Sequence, residues 1–292
     1  MIASTMLAWR IVGPVQTAFV NLTRIDRVRN AAGQMDRLMA LRGERHTSIS
    51  MGGVRQFRGR VEFDRVSFRY SLDTDPALIG AAFIVEPGKM VPVTGPNGGG
   101  KSTLLKLLAG LYPPQAGSVR IDDMDLRQID PVELRRAIGY VPQDCSLFRG
   151  TIAQNLRLVR PAATDPELAR ALALAGALND IALLPEGIYT RLGDGATERF
   201  SASLRQKLSL ARAYLTHAPV LLFDEPANTL DAEGDRWFVE ALRKLKGRST
   251  IFLVTHRPSH IRLADVAVVI QGGYIRLMGA PGEALKRLGM AG

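Results

Sequence analysis

The run Gly95-Pro96-Asn97-Gly98-Gly99-Gly100-Lys101-Ser102-Thr103 constrains this chain more than any other feature. It matches the pattern G-x-x-x-x-G-K-[ST], a phosphate-binding loop, and its flanks fit that reading. Residues 90–94 are apolar enough for a buried strand entering the loop, and residues 102–111 read as a helix leaving it. Glycines let backbone N–H groups turn inward around a polyphosphate, and the helix N-terminus adds positive potential. Lys101 is placed to reach the β- and γ-phosphates, and Ser102 to hold Mg²⁺. The bland alternative is a glycine-rich turn that happens to end in Lys-Ser. Strand, spacing and helix together speak against it.

At 292 residues the chain has room for one large domain or two smaller ones. Hydrophobic residues at 46% and charged residues at 23% describe a globular chain with a substantial core. A net charge of +10 permits a polyanion partner or an anionic membrane surface. The excess is mainly arginine, spread with no dense block, so solvated surface is the simpler reading. The single Cys145 excludes an intramolecular disulfide and a cysteine metal cluster, and suits a reducing cytosol. The four histidines read as scattered, which argues against zinc.

Apolar positions Val15, Phe19, Leu22, Ile25, Val28, Ala32, Met35 and Leu38 recur in steps of three and four. They predict a long amphipathic helix over 15–42, continuous with an apolar start at 1–20. That start, interrupted by Arg10, Pro14 and Gln16, is marginal as a membrane span and poor as a signal peptide. Residues 43–57 read as a linker. From residue 58 the pattern changes. Residues 60–70 alternate like a half-buried strand, and 84–85, 90–94 and 119–121 add strands. Residues 131–138 and 165–178 read as helices. The apolar runs 220–223 and 251–254 fit buried parallel strands, and 266–270 with 274–275 a closing hairpin. The order gives an α/β core with a helical segment inserted near 150–215.

Val220-Leu221-Leu222-Phe223-Asp224-Glu225 is an apolar strand ending in two acids. Asp224 emerges at the C-terminal end, where such sheets bind ligands, and can hold Mg²⁺. Glu225 can orient and polarise an attacking water. Alone this pattern is weak; behind the glycine loop it is strong.

With these residues in hand, the chain resembles the ATP-binding-cassette (ABC) ATPases over about residues 58–285. Residues 139–144 resemble the family's glutamine loop, and 147–156 its exporter branch. Residues 226–231 resemble the loop that contacts a second subunit, Thr255-His256 the switch histidine, and 66–70 the adenine-stacking segment. The resemblance implies a P-loop NTPase core with a mostly parallel sheet, an N-terminal antiparallel β subdomain and an inserted helical subdomain. It implies ATP and Mg²⁺ as ligands. Gly95, Asn97, Gly98, Gly99, Gly100, Lys101, Ser102 and Thr103 would bind the phosphates, and Ser102, Gln143 and Asp224 the metal. Tyr70 would stack on adenine, Glu225 act as base, Gln143 sense the γ-phosphate, and His256 help place the water. Asp231 would organise the dimer contact, which is compatible with a helix cap.

One motif departs. The family's signature Leu-Ser-Gly-Gly-Gln is here Phe200-Ser201-Ala202-Ser203-Leu204. Ser201 is kept and would face the nucleotide of the opposite subunit; both glycines and the glutamine are replaced. The preceding 196–199 also lack the family's usual glycines. Slower ATP turnover in a homodimer is expected.

Residues 1–50 resemble the tail of a membrane domain fused ahead of its cassette, with 51–292 the nucleotide-binding domain. A truncated half-transporter and a freestanding cassette with an amphipathic docking helix both stay open. The expected function is ATP hydrolysis powering export at the cytoplasmic face of a bacterial inner membrane, most like the type I secretion group. The expected partners are a second cassette and a transmembrane domain, with no nucleic acid. Two alternatives stay open: a soluble, nucleic-acid-acting ABC ATPase and a regulatory cassette with weak turnover.

Overall fold

The computed structural model describes residues 24–36, 39, 55–192, 200–287 and 289. The chain separates into two compact units, Met1–Ser48 and Ile49–Gly292. In the first, residues 24–36 form helix α1, and the stripe residues Ile25, Val28 and Met35 are all exposed. The apolar start at 1–20, the stripe positions Val15, Phe19, Leu22 and Leu38, most of the expected linker and the segment 196–199 lie outside the described residues. No described helix is long and apolar enough to cross a membrane.

In the second unit, β1 (Val61–Phe68), β2 (Leu78–Val85), β4 (Ala116–Ile121) and β5 (Met124–Asp125) form an antiparallel sheet in the order β2-β1-β4-β5. The larger sheet holds β3 (Met90–Thr94), β6 (Ile138–Val141), β9 (Val220–Asp224), β10 (Thr250–Val254), β11 (Ala267–Gln271) and β12 (Tyr274–Gly279). Its order is β12-β11-β3-β10-β9-β6, and every pairing but the β11–β12 hairpin is parallel. The short strands β7 (Gly150–Thr151) and β8 (Arg191–Leu192) pair with each other. The helices are α2 (Lys101–Leu108), α3 (Pro131–Ala137), α4 (Ile152–Arg157), α5 (Asp165–Leu174), α6 (Leu178–Ala182), α7 (Ala202–Thr216), α8 (Ala232–Leu245), α9 (Pro258–Ile261) and α10 (Pro281–Arg287).

Alternation along the central strands explains the layers. Val220, Leu222, Phe252 and Val254 join a core with α2 and the antiparallel sheet. Leu221, Phe223, Ile251 and Leu253 join a second core with α5, α7 and α8. Strands buried on both faces must be apolar at every position, which is why these runs read as continuous. The expected strands and the closing hairpin are present. Two helices differ in extent. The helix predicted over 102–111 stops at Leu108, because Gly110 turns away at φ +69°. The helix predicted over 165–178 ends at Leu174, because Gly176 at φ +67° starts a new turn into α6. Strand β6 and helix α8 were not read as elements; most of β6 was taken up by the glutamine-loop motif.

Register sets the site. Val254 pairs with both Val93 and Asp224, so β3, β10 and β9 end at one level. The loops leaving three adjacent parallel strands therefore converge, as sheets of this kind require of a binding edge.

Candidate active site

The loop between β3 and α2 is built on its glycines. A Cβ on Gly95 would lie 1.9 Å from the Ile270 carbonyl oxygen, and one on Gly100 2.2 Å from that of Ala77. These two glycines are required by the approach of the protein's own backbone, not only by a phosphate. Asn97 and Gly98 are exposed at the loop tip, while Gly99 and Gly100 are buried. Lys101 is buried, and its Nζ donates to the carbonyl oxygens of Gly95 (2.9 Å) and Pro96 (3.0 Å). Burial holds its pKa below the usual lysine value, opposed by Glu225 and Asp224. A buried ammonium whose hydrogen bonds go to neutral carbonyls fits an incoming polyphosphate.

Ser102 Oγ donates to Asp224 Oδ1 at 2.9 Å. Burial raises the Asp224 pKa above the usual carboxylate range, against the Ser102 hydrogen bond, with Glu225 adding to the rise. Paired hard oxygens, one of them a carboxylate held at a desolvation cost, suit Mg²⁺. Tyr140 on β6 shares this corner. Burial first, then the Asp224 carboxylate to which it hydrogen-bonds, raises its hydroxyl pKa.

Glu225 follows in the left-handed conformation, φ +49°. That costs a non-glycine residue about 1–2 kcal/mol and marks functional positions. Its N–H donates to the Val254 carbonyl (3.1 Å), and its carboxylate gathers three side chains. Asn228 Nδ2 is 2.6 Å and Gln143 Nε2 3.5 Å from Oε2, while His256 Nε2 is 3.6 Å from Oε1. His256 Nε2 is buried and has no hydrogen-bond partner among the described residues. The loop carrying Gln143 is tied to α7: Cys145 Sγ donates to Gln206 Oε1 (2.8 Å), and Arg212 to the Ser146 carbonyl (2.7 Å).

Tyr70 is half-exposed. Its hydroxyl lies 3.2 Å from Thr103 Oγ1, and its ring meets Phe68 (5.0 Å) and Tyr112 (5.4 Å) edge-on. Lys106 Nζ stands 5.9 Å from the ring centroid. Ser201 and Asp231 act within this chain as helix caps. Ser201 Oγ accepts from Leu204 N (3.1 Å) at the start of α7, and Asp231 Oδ1 from Gly234 N (2.7 Å) at the start of α8.

The expected residues thus fall into a central group (Lys101, Ser102, Gln143, Asp224, Glu225 and His256), with Tyr70 and Thr103 beside it. Ser201 and Asp231 line a separate cleft of about 490 Å³ with Lys207 and Asp180. Sequence reasoning missed Asn228, Tyr140 and Tyr112. Asn228, three residues after Glu225, was the findable one. It also passed over the spacing of His256 and His260, four residues apart. These two do not converge; His260 turns to Asp235 instead.

The family profile described as ABC transporter matches residues 78–228 of this chain. The chain belongs to the ABC transporter family. The second unit, Ile49–Gly292, carries that family's ATP-binding domain. It is 38% identical to the cyclolysin secretion/processing ATP-binding protein CyaB of Bordetella pertussis, over 76% of this chain and 31% of that protein. It is 38% identical to the putative multidrug export ATP-binding/permease protein YgaD of Bacillus subtilis, over 79% and 40%. The structure of a bacterial Atm1-family ABC exporter with ATP bound superposes with a TM-score of 0.80 at 31% identity, covering 91% of this chain and 46% of that one. This chain therefore spans less than half the length of these relatives.

Proposed function

We propose that this ABC chain binds ATP with Mg²⁺ and hydrolyses it as the nucleotide-binding part of a membrane exporter. The carrying observation is the convergence of Ser102–Asp224 and Glu225–His256 on the ends of adjacent parallel strands.

Lys101 and the N–H groups around it bind and orient the phosphates of the substrate ATP. Ser102, Asp224 and Gln143 would hold Mg²⁺, which when bound supplies charge neutralisation on the phosphate oxygens. Glu225, fixed by its backbone bond to Val254 and by Asn228, accepts the proton of the attacking water. His256 Nε2 faces the same point and orients the γ-phosphate against that water. Tyr70 offers an aromatic face to adenine.

The relatives of equal identity include a secretion protein and a multidrug exporter, so the proposal stops at export and names no cargo. The matching exporter and the clefted Ser201–Asp231 face support a second ABC subunit as partner, a transmembrane domain as the coupled element, and the cytoplasmic face of the membrane as location. The test is MgATP hydrolysis by the full chain beside Glu225→Gln and Lys101→Ala. Turnover should fall at least about 100-fold in both, with ATP binding kept in the first. Wild-type turnover in Glu225→Gln would sink the proposal.

A further inference from the structure

Beside the proposed catalytic group lies a buried cluster that the chemistry above leaves unused. His260, on α9, is fully buried, with its ring set edge-on to Phe238 at 5.5 Å. Its Nδ1 is 3.2 Å from Thr255 Oγ1, and its Nε2 is 3.0 Å from Asp235 Oδ1 on α8. Thr255 Oγ1 also accepts from Arg257 N at 3.1 Å. The hydroxyl proton of Thr255 is then available to the Nδ1 lone pair, and Nε2–H donates to Asp235. A neutral imidazole in this tautomer, assigned from the hydrogen-bond pattern, satisfies each of these partners.

Arg257 closes the ring of contacts. Its guanidinium is 2.9 Å from Asp235 Oδ1 and donates to the Ala227 carbonyl at 2.7 Å. Ala227 sits in the short 3₁₀ turn Pro226–Asn228 that directly follows Glu225. His256 lies between Thr255 and Arg257, and both of these are pinned by the cluster. The same cluster thus grips the backbone on either side of His256 and the turn just beyond Glu225.

We infer that His260 is a positioning residue that holds His256 and Glu225 at their working separation by bridging Thr255 to the Asp235–Arg257 pair. This rests on the roles given above to Glu225 and His256. Removing the bridge leaves the buried Thr255 hydroxyl proton without its acceptor and Asp235 with Arg257 alone, and frees the segment to shift. Displacement of a catalytic group by about 1 Å can cost about 100-fold in rate, so a small shift is enough to read. Nucleotide contacts on the β3–α2 loop are untouched, so binding should not follow.

The experiment is steady-state MgATP hydrolysis by the full chain, with ATP affinity measured separately by a fluorescent nucleotide. His260→Phe keeps a ring on Phe238 and removes both hydrogen bonds. His260→Gln offers a carbonyl to Thr255 and an amide N–H to Asp235. Expected is a kcat loss of about tenfold or more in His260→Phe, with KM and ATP affinity within about twofold. His260→Gln should recover to within about threefold of wild type, and in a His256→Ala background His260→Phe should add less than about twofold. An unchanged kcat in folded His260→Phe overturns the inference. So does a loss that His260→Gln fully shares, or one that persists undiminished when His256 is absent. If His260→Phe does not fold, Asp235→Ala gives the same reading, because it removes the Oδ1 that accepts from both His260 and Arg257. Its unchanged kcat overturns the inference equally. Wild-type rates in both Glu225→Gln and His256→Ala would overturn the site reading together with this one.

Discussion

Ser102 Oγ and Asp224 Oδ1 meet at 2.9 Å across 122 residues of chain. The carboxylate in this pair is held against its own solvation, because burial raises its pKa above the usual range. A folded-state pKa raised in this way gives stability that is present at low pH and lost as pH rises through the folded value. Above its folded-state value the ionised Asp224 therefore destabilises the ligand-free protein. Asp224→Asn should raise Tm at pH 7.5 by about 2–4 °C, the equivalent of about 1 kcal/mol for a domain of this size. The gain should shrink towards pH 5, and MgATP hydrolysis should fall at least about 100-fold. Thermal melts at the two pH values check this; a lower Tm at pH 7.5 contradicts it.

Glu225 occupies a left-handed conformation, with its N–H bonded to Val254 and its carboxylate to Asn228. Asn228→Ala should therefore loosen the carboxylate without touching nucleotide binding. The expected result is a kcat reduced about tenfold, with ATP affinity within about twofold. Equal losses in both quantities would mean that Asn228 acts on the loop as a whole and not on Glu225.

How much of this was legible in the sequence depends on whether a residue's partner is local. The glycine loop, the strand before it and the Asp224-Glu225 strand end are contiguous patterns, and each folded as read. The first strand of the antiparallel sheet was visible in the alternation of Val61, Phe63, Val66 and Phe68, all of which are buried. Gly110 and Gly176 ended helices that apolar spacing alone would have continued, since periodicity does not report a φ of +69° or +67°. Tyr140 was invisible because its partner Asp224 is brought to it only by the parallel pairing of β6 with β9. His260 reaches Asp235 through the packing of α9 on α8, and no spacing in the chain encodes that meeting.

The start of α7 departs from the family's signature in side chains whose surroundings are now defined. Ser201 caps the helix, and the Ser203 hydroxyl is buried with no partner among the described residues. Replacing Ala202 and Ser203 by glycine removes both Cβ atoms from the face that would approach a partner's nucleotide. It leaves the Ser201 cap in place. Turnover of the double variant should rise several-fold, at a stability cost of up to about 1 kcal/mol per glycine in the helix. Unchanged turnover, measured at protein concentrations where the dimer forms, would show that the altered signature does not limit the rate.

His260 also gives the protein a distinct acid response. Burial lowers its pKa from the usual histidine value, with Asp235 opposing and Arg257 assisting. Below about pH 6.5 the unfolded chain binds a proton at this position that the folded chain resists. The difference in bound protons makes stability rise with pH across the window between the folded value and the ordinary one. Stability is therefore lost on acidification through that window. In His260→Gln this contribution is absent, while His46, His217 and His256 remain common to both proteins. Urea midpoints measured from pH 7.5 down to 5.5 should fall more steeply for wild type than for His260→Gln. Parallel curves would mean that the folded protein accepts the proton at His260 as readily as the unfolded chain, and that Asp235 fully offsets burial.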